Sequence, residues 1–321
     1  GNPETVTVHI PSGASAQEIV DRLAGAGLAP NPRVAYWTLR SYGTFERVQA
    51  GTYELPGDAS LLDLTELLVG KARAQEITLT LIPGETLWQA ADRLDAIGVG
   101  ARAELLALAE DHAFARELGL PVGPERPPRT DGFPQTYLEG FLYPDTYRLR
   151  PGASTRATVS KLTSRFLEIW GRVTKRLRAD LIALRQRYGL EPHQLVVLAS
   201  LVEREVKASE ESARVAGVFF NRLERGMKLQ TDPTLVYRPD RVGAVPRPAH
   251  RRDATNPYNT YAIEGLPPGP ICSPGRRALE AVLRPERHDF LYFVATRDAR
   301  GTHAFSRTLA EHNQAIQRYL K

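Results

Sequence analysis

The chain is poor in sulfur, holding one cysteine, Cys272, and one methionine, Met227, in 321 residues. A lone cysteine excludes an internal disulfide and any cysteine-rich metal site, and it leaves the redox compartment open. Long apolar runs are missing as well. The longest, Leu195 to Val202, includes Ser200 and falls far short of the ~20 residues a membrane-spanning helix needs. Lysine is scarce, supplying six of the 42 basic residues. The formal charge of +5 and a pI near 9.3 favour anionic surfaces such as wall polymers, phospholipid headgroups or nucleic acid. An arginine-rich, GC-biased genome accounts for the same balance. No basic run interleaved with aromatics supports a nucleic-acid partner. Catalytic signatures are absent too: there is no GxSxG, SxxK, HExxH or P-loop, and Gly25, Ala26, Gly27 are followed by Pro30 where a dinucleotide fingerprint needs glycine. The seven histidines show no ligand spacing. No metal and no cofactor is therefore expected, and any chemistry falls to carboxylates.

What is present suits folded domains: 42% hydrophobic and 25% charged residues suffice for two or more cores. Residues 6–28 (VTVHIPSGASAQEIVDRLAGAGL) repeat as residues 77–99 (ITLTLIPGETLWQAADRLDAIGV) at a constant offset of 71, with Gly13 over Gly84 and Asp21, Arg22, Leu23 over Asp92, Arg93, Leu94. Each copy alternates like a half-buried strand, turns at Pro and Gly, then takes helical spacing behind an N-cap, Ser15 or Thr86. Each closes alike, Thr52-Tyr53-Glu54-Leu55 before Pro56-Gly57 resembling Thr146-Tyr147-Arg148-Leu149 before Pro151-Gly152. Such a β-α-α-β unit resembles the LysM carbohydrate-binding module in pattern.

Residues 121–136, with five prolines, are expected to be a loop. Beyond Thr155 the texture turns helical. Ala157 to Tyr188 is a long amphipathic stretch ended by Gly189 and Pro192, and a second helix covers about His193 to Lys207. A third starts with Ser209 as N-cap and Glu210, Glu211 in its first turn, and Gly226 ends it. Ser273 and Pro274 set up a further helix start, Asp289 to Thr296 reads as a buried strand, and a terminal helix begins near Thr308. The expected architecture is α+β: a first LysM-like module over 1–73, a second with an insertion over 74–152, and a helix-rich catalytic domain with a C-terminal strand pair over 153–321.

Among the carboxylates Glu203 stands out, following the apolar run in register with Val196, Ala199, Ser200 and Lys207. Glu205 lies about 200° further round the helix, so the two cannot enter one cleft. A desolvated carboxyl has its pKa raised from about 4.3 toward ~6, which suits a general acid for glycosidic cleavage. The bland alternative is that Glu203 pairs with an arginine at the helix end.

Five ordered blocks then add a resemblance covering nearly the whole chain: Leu138–Leu149 (LEGFLYPDTYRL), Leu198–Glu205 (LASLVERE), Val218–Tyr237 (VFFNRLERGMKLQTDPTLVY), Asn256–Gly275 (NPYNTYAIEGLPPGPICSPG) and Gly301–Asn313 (GTHAFSRTLAEHN). Together they resemble the MltG/YceG-like endolytic murein transglycosylases. This chain departs at Val206, where the family pattern has threonine, and at Cys272, a variable place. The resemblance implies a lyase acting within peptidoglycan glycan strands, with Glu203 matching the catalytic glutamate. It would protonate the oxygen between N-acetylmuramic acid and N-acetylglucosamine, then take the proton of the muramyl C6 hydroxyl as that oxygen closes on C1, leaving a 1,6-anhydro end.

Asn221, Gln230, Thr231, Asp232, Tyr258, Asn259, Thr260 and Tyr261 are expected to line the sugar groove, with Glu139, Tyr143 and Asp145 on its other wall. The resemblance further implies an extracytoplasmic catalytic part, an N-terminal membrane anchor lying before Gly1, and penicillin-binding peptidoglycan synthases as partners. Two other readings stay open. One is a hydrolytic muramidase with Asp232, Asp145 or Glu139 as second carboxylate; the other is a non-catalytic scaffold whose repeats hold glycan.

Overall fold

The computed structural model describes residues 5–11, 13–69, 76–126, 133–150 and 152–320. In chain order its elements are β1 (Thr5–Ile10), α1 (Ala16–Gly25), α2 (Pro32–Ser41), β2 (Gly51–Pro56), α3 (Leu61–Val69), β3 (Ile77–Thr80), α4 (Leu87–Ala96), α5 (Arg102–Glu110), α6 (His112–Glu117) and β4 (Thr146–Leu149). There follow α7 (Thr155–Arg176), α8 (Arg178–Tyr188), α9 (Pro192–Glu205), α10 (Ser212–Glu224), α11 (Arg276–Leu283), β5 (Tyr292–Ala295), β6 (His303–Ser306) and α12 (Leu309–Leu320). The class is α+β, helix-rich, with two-stranded sheets β1-β2, β3-β4 and β5-β6. By packing, the chain forms two units, one of residues 1–79, 94–101 and 146–158 and the other of 80–93, 102–145 and 159–321. The repeat-based boundary at 73/74 lies outside the described residues.

In the first unit the alternation of β1 becomes an antiparallel pairing with β2, Val8 opposite Tyr53 and Ile10 opposite Gly51. The inward side chains Val8, Ile10, Tyr53 and Leu55 close on Ile19, Val20 and Leu23 of α1, Leu39 of α2, and Leu64 and Leu68 of α3. Each such side chain contributes about 1.5–3 kcal/mol on burial. The helix α1 starts where Ser15 accepts the Glu18 N–H at 3.2 Å and donates its own N–H to the Glu18 carboxylate at 2.8 Å, a reciprocal cap that satisfies two orphan donors.

The second copy of the repeat reproduces that local chemistry. Thr86 and Gln89 make the same exchange at the start of α4, at 3.3 and 3.0 Å. Gly13 and Gly84, equivalent in the repeat, both take positive φ, 78° and 85°, which a side chain would strain.

The core of the second unit is α9, whose residues Leu195 to Val202 are all buried, packed against α10 and α11. The amphipathic stretch expected to be continuous is two helices. It breaks at Leu177 (φ −105°, ψ 32°), whose side chain remains buried. Ser209 opens a short 3-10 turn instead of capping the helix, and α10 begins after Glu211. It ends before Gly226, at φ 64°. The strand expected to be buried is a half-exposed ribbon: within β5 only Val294 is buried, and β5 pairs antiparallel with β6, Phe293 opposite Phe305. Residues 121–126 and 133–136 carry no helix or strand, and 127–132 of the expected loop lie outside the described residues. No helix among the described residues is long and apolar enough to cross a membrane.

Candidate active site

The two carboxylates at the end of α9 go separate ways. The helix closes with the Val206 N–H on the Val202 carbonyl at 3.1 Å and Val206 itself extended. Glu203 turns toward the segment before α11: its Oε2 accepts the Gly275 N–H at 2.9 Å, and its side chain runs close to Gly84. Burial raises its pKa, with the Gly275 hydrogen bond opposing.

Glu205 instead faces a cleft of about 530 Å³, within the size range of small-ligand sites. The wall of that cleft is formed by Glu205, Arg222, Gln230, Asp232, Arg251, Tyr261, Tyr292, Phe293, His303, His312 and Asn313, with Leu309, Ile316 and Leu320 of α12 supplying apolar surface. Glu203 is not part of it.

A lattice of threonines fixes what Glu205 meets. The Thr231 N–H donates to the Thr260 hydroxyl at 2.9 Å, the Gln230 N–H to the Thr260 carbonyl at 3.1 Å, and the Thr234 hydroxyl to the Thr231 carbonyl at 2.7 Å. So held, the Thr231 hydroxyl donates to Glu205 Oε1. That bond favours the carboxylate, but burial outweighs it and the negative charge of Asp232 adds to burial. Together they push Glu205 up to about 7. The carboxyl thus holds its proton near neutrality beside open space, the condition for a general acid.

The rest of the wall is charged and aromatic. Asp232 accepts from the Tyr261 hydroxyl at 2.6 Å and pairs with Arg251 at 3.2 Å, whose guanidinium lies 4.9 Å from the Tyr261 ring. Arg222 donates to the carbonyls of Leu291 at 2.6 Å and Leu229 at 2.8 Å, and lies 5.1 Å from the Tyr292 ring. Its burial lowers its pKa. Tyr292 also stacks on His312 at 5.1 Å. Such rings offer apolar faces with polar edges, as a sugar presents. Gln230 reaches the cleft from a left-handed backbone, φ 52°, sparsely populated by residues other than glycine.

Of the groove residues expected from sequence, Gln230, Asp232 and Tyr261 line the cleft, while Thr231 and Thr260 stand behind Glu205. Others serve the fold. Tyr258 is buried, and the Asn259 amide donates to the carbonyls of Arg251 at 3.2 Å and Asp253 at 2.8 Å. Asn221 ties α10 to the carbonyls of His288 at 2.7 Å and Phe290 at 2.9 Å, and borders a different cavity. The expected second wall does not form. Glu139 is 1% exposed and accepts from the Leu87 N–H, the Tyr237 hydroxyl and the Gly140 N–H. Tyr143 is buried against Arg276, and Asp145 pairs with Arg165 at 2.8 Å.

Glu205, Arg222, His303 and His312, which also line the cleft, each fall inside one of the five sequence blocks. Their signal was polar residues kept where no apolar periodicity asks for them. Among the described residues no group of three His, Cys, Asp or Glu side chains gathers as a metal site would require.

Residues 8–318 match the family model described as the YceG-like family. A protein of Bacillus subtilis strain 168 named endolytic murein transglycosylase is 29% identical over 336 residues, covering 98% of this chain and 85% of that protein. A protein of the same name from Streptococcus pneumoniae D39 is 31% identical over 306 residues, 90% of this chain; the chain spans 54% of that relative's length. Among solved structures, a YceG-like protein of Listeria monocytogenes superposes with a TM-score of 0.61 at 29% identity, covering 97% of this chain and 98% of that one.

Proposed function

The chain belongs to the YceG-like family, and from that premise we propose that it is an endolytic murein transglycosylase, a lyase that cuts within peptidoglycan strands, with Glu205 as its acid. The observation that carries the assignment of Glu205 is its position: a carboxyl pushed up to about 7 on the wall of a ligand-sized cleft. Glu203, which the sequence favoured, spends its Oε2 on the Gly275 N–H and borders no part of that cleft.

In this reading the glycan strand lies across Tyr261, Tyr292 and His312, with Gln230 and Asn313 available to its acetamido and hydroxyl groups. Glu205 gives its proton to the oxygen between N-acetylmuramic acid and N-acetylglucosamine as the muramyl C6 oxygen attacks C1. The product is a 1,6-anhydro end, and water is not consumed. Since murein lies outside the cytoplasmic membrane, the catalytic part works on the extracytoplasmic side.

One observation favours a second reading, hydrolysis, because Asp232 shares the cleft with Glu205 and two carboxylates are what most glycosidases use. The products separate the two. Purified uncross-linked glycan strands incubated with the protein are expected to yield internal cuts with anhydro termini by mass spectrometry, lost in Glu205→Gln. Reducing termini would instead mean hydrolysis. Full cutting by Glu205→Gln together with its loss in Glu203→Gln would return the role to Glu203.

A further inference from the structure

On the same cleft wall stands an imidazole that this reaction leaves unused. His303 opens β6, and its Nδ1 lies 2.7 Å from Glu211 Oε2. The same carboxylate accepts the His303 backbone N–H, at 3.1 Å to Oε1 and 3.0 Å to Oε2. Both side chains are 9% exposed. A carboxylate so placed makes Nδ1 the ring's donor, so that the neutral ring carries its lone pair on Nε2. Nε2 has no protein partner among the described residues, and the ring, edge-on to Phe293 at 5.3 Å, forms part of the cleft wall. A mere tie between β6 and the start of α10 needs Nδ1 and the backbone N–H only; it leaves the second nitrogen of this cleft-lining ring without a role.

The proposed reaction does. Two protons move at two different oxygens: the bridging oxygen gains one and the muramyl C6 hydroxyl loses one. A single carboxyl must attend to both. Resting on the reading of Glu205 as the acid, we propose that His303, oriented by Glu211, is the base that takes the proton of the C6 hydroxyl. As the C6 oxygen bonds to C1, the bond from C1 to the bridging oxygen breaks with its electron pair. Glu205 protonates that oxygen, and the hydroxyl proton passes to His303 Nε2. The imidazolium and carboxylate that result differ from the starting pair by one proton transferred between them, which water in the open cleft returns.

The titratable and charged groups about His303 are Glu211 from the turn before α10, Glu205 of α9, Arg222 of α10, Tyr292 of β5 and His312 of α12. Asp232, Arg251 and Tyr261 complete the charged wall. His312 is the second imidazole, and the test must tell it from His303.

The variant His303→Asn does so, because an asparagine amide reaches the position of Nδ1 and keeps a donor for Glu211 while removing Nε2. With uncross-linked glycan strands, kcat is expected to fall about 100-fold and KM to change by less than about threefold. The acid limb of the kcat–pH profile is expected to vanish, the fall above about 7 set by Glu205 persisting. Glu211→Gln, acting only through the ring's orientation, is expected to lower kcat by a smaller factor. A His303→Asn enzyme that keeps wild-type kcat and the acid limb overturns the proposal and assigns the limb elsewhere, to His312 first. Should that variant fail to fold, the profiles of the wild type and of His312→Asn decide together: an acid limb present in both supports the base at His303, and a limb absent from the wild type or lost with His312 overturns it. Undiminished cutting by Glu205→Gln would instead strike the reading beneath it.

Discussion

Glu139 and Glu205 share one electrostatic condition and differ in everything around it. Burial pushes both up to about 7. Glu139 is enclosed, 1% exposed, with three donors on its oxygens. One of these is the Leu87 N–H at the start of α4, a helix-terminal donor that needs an acceptor. Glu205 ends its helix, takes one hydroxyl from Thr231, and has open volume before it. A carboxyl that keeps its proton at neutral pH is thus a mark of burial first and of catalysis only where a substrate can arrive.

The largest effect that tests this contrast is the loss of activity in Glu205→Gln, expected to be roughly 1,000-fold in kcat, within the range of general acid catalysis. Its fold should stay intact, gaining stability on the parent as pH rises through about 7, because Glu205 too is held above its unfolded value. Glu139→Gln should differ in activity, cutting strands within about threefold of the parent rate at pH 7 while also changing how stability depends on pH. The folded pKa of Glu139 lies above its unfolded value of 4.5, so the fold binds its proton more tightly. The stability this contributes is full below about 4.5 and is lost as pH rises through about 7. An amide cannot ionise. Between pH 4.5 and 8 the difference between variant and parent in denaturant unfolding should therefore shift in the variant's favour, on the order of 3 kcal/mol. A difference that stays flat with pH would mean that Glu139 is already ionised in the fold.

A smaller effect is expected at Glu203. Glu203→Gln keeps an acceptor for the Gly275 N–H, so kcat should remain within about threefold and stability within about 1 kcal/mol of the parent. A loss of activity rivalling that of Glu205→Gln, with the melt unchanged, would reverse the assignment.

Packing explains why the apolar run singles out Glu203 and says nothing of Glu205, the carboxylate that lines the cleft. Leu195 to Val202 are buried without exception, so the apolar run defines no inner face, and register with Val196 and Ala199 does not say which carboxylate meets open space. That is set by Thr231 and Gly275, 26 and 72 positions away from their partners Glu205 and Glu203. Local signals fared better. Ser15 and Thr86 cap their helices, and Thr308 receives the Glu311 N–H at 3.2 Å at the start of α12. Each rests on groups within three residues. The family was legible because whole blocks persist in order. Roles within a block were not, since polar residues crowded together satisfy one another as readily as a ligand. Asn259 and Thr260 have their bonds inside the loop, while Tyr261 beside them opens onto the cleft.

The smallest expected effect lies at Gln230, whose backbone at φ 52° costs roughly 1 kcal/mol for a residue with a side chain. Its N–H holds the Thr260 carbonyl and so belongs to the lattice behind Glu205. Gln230→Gly preserves that bond and removes the strain, yet it frees the unfolded chain, which costs about 0.4–1 kcal/mol in return. The net gain in stability should be a few tenths of a kcal/mol at most. If the side chain contacts the glycan, KM should rise several-fold with kcat little changed, the pattern of lost uniform binding. If instead the amide only braces Arg222, 3.5 Å from its oxygen, KM will hold and the contrast between cleft and core will have to be drawn without Gln230.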